Sequence, residues 1–269
     1  MKTLIYSVSA LILTFLLSSC EKELDIKYHD IEPLTVIEGE LTPDGVRVTL
    51  TQTTPMDEPM DRTHLTDADV VLSDLTTGEE YLLTVGNDGV YTSAAGGIVG
   101  HDYRLDVTRG AASYSAMTHM YAGTEITELA FSWIAMPYDD VAVLRASLTD
   151  NPETSGDCYW LRIYRNGESY MTGIVKDTYA VNGLVSVMKM TSRKDIDSED
   201  ESTVLRDGDI VTLTVTPVSP SMYDYLEALE NGTNGPYMFT GDRCLGYFIA
   251  TTPVSSSITF RPDEIPDDK

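Results

Sequence analysis

The chain has 269 residues, 42% of them hydrophobic, and a formal net charge of −25 at pH 7. That apolar fraction supports packed cores and excludes a mainly disordered chain, while the length suits one large or two medium domains. The negative charge repels DNA, RNA and anionic lipid at long range, which excludes nucleic-acid binding.

Lys2 is followed by an apolar run, Ala10 to Leu17, and then by Ser18-Ser19-Cys20. A basic start, a short apolar core and a small-residue cleavage site are the layout of a secretory signal. The core is too short to span the roughly 30 Å of bilayer hydrocarbon as a stable helix. Residues 1–19 are therefore expected to be a signal peptide. Leu17-Ser18-Ser19-Cys20 resembles the bacterial lipobox, in which the cysteine is diacylated and becomes the new N-terminus. Cys20 is the expected lipid attachment site, and two or three acyl chains anchor stably where one binds only marginally. Residues 20–33 are charged and lack periodicity, so they read as a tether. Their start, Glu21-Lys22-Glu23-Leu24-Asp25, resembles the Lys-plus-acidic export signal of some Gram-negative lipoproteins. An outer-membrane location facing the cell exterior follows as an expectation.

From Leu34 the pattern is β. Val46, Val48 and Leu50 alternate with polar residues, as do Tyr103, Leu105 and Val107, the period of a half-buried strand. Val70 to Leu72, Tyr81 to Val85, Val90-Tyr91 and Tyr114 to Met117 are further strand candidates. Pro43-Asp44-Gly45, Thr77-Gly78, Asn87-Asp88-Gly89, Gly96-Gly97 and Arg109-Gly110 punctuate them as turns. Short strands with a turn every 8–12 residues or so predict an immunoglobulin-like β-sandwich over 34–121.

Residues 122–269 predict a second β-rich domain. Its strands are Val141 to Leu148, Tyr159 to Tyr164, Tyr170 to Val175, Leu184 to Met190, Ile210 to Val215, Leu245 to Ala250 and Ser257 to Phe260. One helix is expected, capped by Ser221 with Asp224 three places on, presenting Tyr225, Leu226 and Leu229 on one side and ending at Asn231-Gly232. No repeat between the halves is visible. The fold class is thus all-β, with a single short helix.

Chemistry-bearing patterns are sparse. Cys158 and Cys244 sit at the edges of apolar strands. An exported protein can join such a pair as a disulfide, and two buried, inert thiols are the equal alternative. His29, His64, His101 and His119 show no zinc-ligand spacing, and no Cys-x-x-Cys occurs. There is no Gly-x-Ser-x-Gly elbow and no phosphate-binding Gly-rich loop. The acidic run Asp195 to Glu201 fails the EF-hand pattern, because Asp200 and Arg206 hold the places that require glycine and glutamate. It reads as a solvated loop. Trp160 alternates with its neighbours and can lie on the outer face of its strand, or serve as an ordinary strand residue. No catalytic residue, cofactor or metal site is expected.

Several stretches, in order, carry a family resemblance. They are Leu34-Thr35-Val36-Ile37-Glu38-Gly39, Gly89-Val90-Tyr91 and Tyr103-Arg104-Leu105-Asp106-Val107, then Asn151-Pro152 before Tyr159-Trp160-Leu161-Arg162-Ile163. Ser221-Met222-Tyr223-Asp224-Tyr225-Leu226 and Cys244-Leu245-Gly246-Tyr247-Phe248 complete the series. Together with the lipobox they resemble the domain-of-unknown-function 4249 family of outer-membrane lipoproteins. Asn231 to Arg243 looks shorter than in that family. The resemblance implies a lipoprotein working beside a TonB-dependent outer-membrane transporter, and it carries over no catalytic residues. The expected function is a non-enzymatic accessory or binding protein of such a transporter. A structural or adhesive surface protein is the alternative, with a carboxylate-dependent hydrolase behind it.

Overall fold

Period-two patterning builds the first half of the molecule. In Thr35–Thr42 (β1) burial alternates strictly, sending Ile37 and Leu41 inward and Glu38 and Glu40 outward. A computed structural model of the chain describes residues 32–54, 63–149, 157–176, 184–196 and 204–266, with the backbone alone for 184–189. Residues 33–269 form one compact unit. No helix among the described residues is long and apolar enough to cross a membrane.

The remaining strands of the first half are Gly45–Gln52 (β2), Asp69–Asp74 (β3), Glu80–Leu82 (β4), Thr84–Val85 (β5), Val90–Ser93 (β6), Asp102–Arg109 (β7) and Ala112–His119 (β8). They form two antiparallel sheets, with β1-β2-β6-β5 in one and β8-β7-β3-β4 in the other. That is the strand order of an immunoglobulin-like sandwich. Ile37, Leu50, Leu72, Leu105 and Tyr103 fill the space between the sheets. Each such side chain, fully buried, stabilises by about 1.5–3 kcal/mol before entropy is counted.

The second half contains Ile126–Ala135 (β9), Asp140–Leu148 (β10), Cys158–Arg165 (β11), Glu168–Lys176 (β12), Leu184–Ser192 (β13), Ile210–Val218 (β14) and Val254–Thr259 (β17). Its sheets are β9-β10-β13 and β12-β11-β14-β17. Strand for strand this repeats the first sandwich: β9, β10 and β13 stand where β1, β2 and β6 do, and β12, β11, β14 and β17 where β4, β3, β7 and β8 do. The repeat is one of topology, invisible in the residues, because a sandwich core accepts many apolar combinations of similar volume. Its core includes Phe131, Leu144, Ile163, Leu213 and Phe260. Strand β9 escaped the sequence reading because Phe131, Ser132 and Trp133 are buried in succession, which hides the alternation.

Between β14 and β17 the chain leaves the second sandwich. It forms the helix Pro220–Glu230 (α1) and then Thr240–Gly241 (β15) and Cys244–Ala250 (β16). Strand β15 adds to the free edge of β8, and β16 runs parallel to β1 from Thr35↔Cys244 to Leu41↔Ala250. One excursion thus extends both sheets of the first sandwich. Leu245 to Ala250, expected in the second domain, belongs to the first. The helix also differs from expectation. Its N-cap is Ser219, whose Oγ accepts the Met222 amide at 3.1 Å, with Pro220 in the first turn, where its missing N–H costs nothing. The buried residues are Met222, Leu226 and Ala228, whereas Leu229 is exposed.

A third core joins the halves. Cys158, Val218, Met222, Leu226 and Ile249 pack together, with Trp160, Tyr223, Tyr225 and Tyr247 against them. Trp160 thus lies on the outer face of β11, opposite Leu161 and Ile163, where this junction partly covers it. Its ring meets Tyr247 edge-on at 5.9 Å, and the Arg162 guanidinium lies 4.7 Å from its centre. Arg162 Nη2 donates to Glu40 Oε1 at 2.9 Å, tying β11 of one sandwich to β1 of the other.

Candidate functional site

Where the two sandwiches meet, the connection Met120 to Thr124 crosses between them and leaves an open groove beside it. Two adjoining cavities form this groove, of about 590 Å³ and about 500 Å³, and both are lined by His119 and Tyr121. One lies against the start of the second sandwich, between Val99, Asp157, Cys158 and Pro217. The other lies between the ends of β7 and β8 and the excursion, between Leu75, Asp102, Met117, Tyr237 and Phe248.

The hairpin β7–β8 places the polar groups. Its register sets Asp102 opposite His119, and His119 Nδ1 lies 2.8 Å from Asp102 Oδ1. A carboxylate on one ring nitrogen fixes the orientation of the imidazole. The His119 ring also meets Tyr121 edge-on at 5.0 Å. Asp102 is held from behind: its amide donates to Thr76 Oγ1 at 3.1 Å, and its carbonyl accepts the Leu75 amide at 2.8 Å. The turn carrying those residues is built on Asp74, whose carboxylate accepts the Thr76 and Thr77 amides and faces His101 Nδ1 at 2.8 Å. Burial pushes the Asp74 carboxyl up, but His101 and the two amides outweigh it and hold the group below the usual carboxylate range. Burial raises the Tyr121 hydroxyl, and it raises the Cys158 thiol as well. A thiol shifted that way is a poor nucleophile.

The expected site residues fall in different places. Cys20 lies outside the described residues. Cys158 and Cys244 are both buried and are not joined to each other, so the disulfide gives way to the alternative of two buried thiols. The reason is packing: Cys158 belongs to the core that joins the sandwiches and Cys244 to the core of the first sandwich. Burial lifts the Cys244 thiol to about 11. Of the acidic run, Asp195 closes a short 3-10 turn and residues 197–201 lie outside the described residues. Among the described residues no group of three or more His, Cys, Asp or Glu side chains is placed to hold a metal.

No protein-family model matches the chain, and no curated protein matches it. Among solved structures, a two-domain fibronectin type-III segment of chicken tenascin is similar over 85% of this chain and 100% of that one, at 11% identity and a TM-score of 0.23. The FN1–FN3 domains of chicken CNTN1 are similar over 86% of this chain and 66% of that one, at 10% identity and a TM-score of 0.25. The strand order, rather than either likeness, defines the fold.

The sequence reading missed the groove itself. Asp102 and His119 were open to it, since a hairpin closed by Gly110-Ala111 fixes which residues face each other. Tyr237 and Met238 were not, because they reach the groove only through the excursion. The arrangement is suited to contact. It combines apolar and aromatic walls, an oriented imidazole and carboxylates, and Ser219 Oγ already serves as a helix cap.

Proposed function

We propose that this chain is a lipid-anchored accessory protein of an outer-membrane TonB-dependent transporter, acting by binding rather than by catalysis. The lipobox ending at Cys20, the acidic tether and the family resemblance support the address. The structural observation that carries the binding role is the excursion from β14 to β17. By extending both sheets of the first sandwich it joins the two sandwiches into one body and frames the groove at their junction. Residue 33 enters at the start of β1, the end of the first sandwich remote from that junction.

Two measurements test this reading. Cys20→Ala is expected to release the protein from the membrane fraction and to abolish incorporation of labelled palmitate. Affinity purification of the native protein from outer membranes in mild detergent is expected to recover a TonB-dependent transporter in stoichiometric amount. Recovery of the intact protein without one, under conditions that preserve known transporter complexes, refutes the association.

A further inference from the structure

The groove exposes large apolar side chains in a concave place. Met117 is 70% exposed, Tyr237 79% and Leu75 40%, and all three line one cavity, while Val99, 49% exposed, lines the other. Apolar side chains gathered in a concave place, with a polar rim, mark an interaction surface. The electrostatics select the occupant. Asp102, with 63% of its side chain exposed, sits in one cavity and Asp157 in the other. Among the described residues neither cavity is lined by a lysine or an arginine, and His119 already faces Asp102. Tyr121, Tyr159 and Tyr237 add aromatic faces, which attract cations. Around the groove lies a molecule of charge −25, whose field raises the encounter rate of a cationic partner and repels an anionic one.

We infer that the groove is a docking site for a basic segment of a partner protein, in which lysines or arginines alternate with large apolar side chains. The apolar residues of that segment pack on Leu75, Met117 and Tyr237, and its cations meet Asp102 and Asp157. This rests on the binding role proposed above and supplies its contact surface. On the transporter, the matching element is a basic, apolar-bearing loop.

The probe is a fluorescein-labelled peptide of alternating lysine with leucine and phenylalanine, titrated by anisotropy into the purified full chain in detergent. Its counterpart carries glutamate in place of each lysine. Two double variants address the groove, Asp102→Asn with Asp157→Asn and Met117→Ser with Tyr237→Ser. A third, Asp69→Asn with Asp88→Asn, removes the same charge from the remote end of the first sandwich and controls for non-specific attraction. Each groove variant is expected to weaken the lysine peptide about fivefold or more, the remote variant by less than about twofold, and the glutamate peptide is expected not to bind. Circular dichroism of each variant confirms folding. Equal affinity for all three variants, or binding of the glutamate peptide, overturns the proposal. The two proposals fail separately. If groove variants still co-purify with a transporter as the native protein does, the groove is not the dock. If the native protein recovers no transporter yet the peptide selects the groove, the site stands and the transporter association falls.

Discussion

Asp209 shows how one residue ties several elements together. It is 8% exposed, and its carboxylate accepts the Arg206 amide at 2.7 Å, Asn166 Nδ2 at 2.8 Å and Arg165 Nε at 2.6 Å. Burial alone raises the pKa of such a group. Here the Arg206 amide, Asn166 and Arg165 outweigh it, and the carboxyl is held below its ordinary value. A carboxyl whose pKa is lower folded than unfolded contributes stability above the unfolded value, and that contribution is lost as pH falls through the folded one. Asp209→Asn is therefore expected to cost about 1.5–3 kcal/mol at pH 7. The difference from the unaltered chain should shrink once pH falls below about 4. Urea midpoints at pH 7 and pH 3 check this, and an equal difference at both would contradict it. Arg165 and Asn166 were not legible as partners in the sequence, because they meet Asp209 only through the pairing of β11 with β14. The Asp102–His119 pair differs, since counting outward from Gly110-Ala111 along one hairpin brings the two residues face to face. Cys158 and Cys244 sit between these cases. Their burial was readable from apolar neighbours, whereas their assignment to separate cores depends on where the excursion travels.

At the scale of elements, strand β16 shows the division between local and distant information. Alternation located β2 and β7, because a half-buried sheet imposes period two on the sequence that forms it, and apolar runs between turn signals located most of the rest. The partner of a strand is set by contacts far along the chain, and nothing local shows that β16 returns to lie parallel to β1. One residue does record it. Gly246 stands opposite Ile37 with φ of 106°, and a Cβ there would lie 1.9 Å from the Ile37 carbonyl oxygen. The backbones approach so closely that no side chain fits, and the conformation itself is strained for any residue but glycine. Gly246→Ala is expected to cost about 3 kcal/mol or more and to detach β16 locally. Hydrogen exchange should then accelerate at the β1 amides from Ile37 to Leu41 while the second sandwich core stays protected. Unchanged exchange in β1 would show that the strand tolerates the substitution. The helix supplies a smaller lesson. Ser221 and Ser219 both precede apolar residues, and Pro220 decides between them, since proline fits the first turn of a helix but not a position that must donate an amide.

The described residues form two sandwiches of one topology, made interdependent by the excursion and by the junction core. Glu40 and Arg162 are the charged part of that junction, with side chains 26% and 19% exposed. Arg162 Nη2 also donates to Thr216 Oγ1 at 3.1 Å, and Arg162 Nε has no acceptor among the described residues. A half-desolvated guanidinium that loses its carboxylate cannot recover full hydration, so removing one partner costs more than the pair is worth in isolation. Glu40→Gln is accordingly expected to destabilise by about 1.5–3 kcal/mol. Its consequence for cooperativity is the sharper test. Glu40 lies in the first sandwich, whereas Trp133 is buried in the core of the second, 2% exposed and donating Nε1 to the Pro262 carbonyl. If the two sandwiches unfold as one unit, a Trp160→Phe background, in which Trp133 is the sole tryptophan, should report a lower midpoint on adding Glu40→Gln. That shift should equal the one seen by far-ultraviolet circular dichroism, within a single transition. Were the halves independent, Trp133 fluorescence would keep its midpoint and the circular dichroism would divide into two steps. The shared junction core and the strands lent to the first sandwich argue for the single transition, because the excursion cannot leave its sheets without disturbing both β14 and β17.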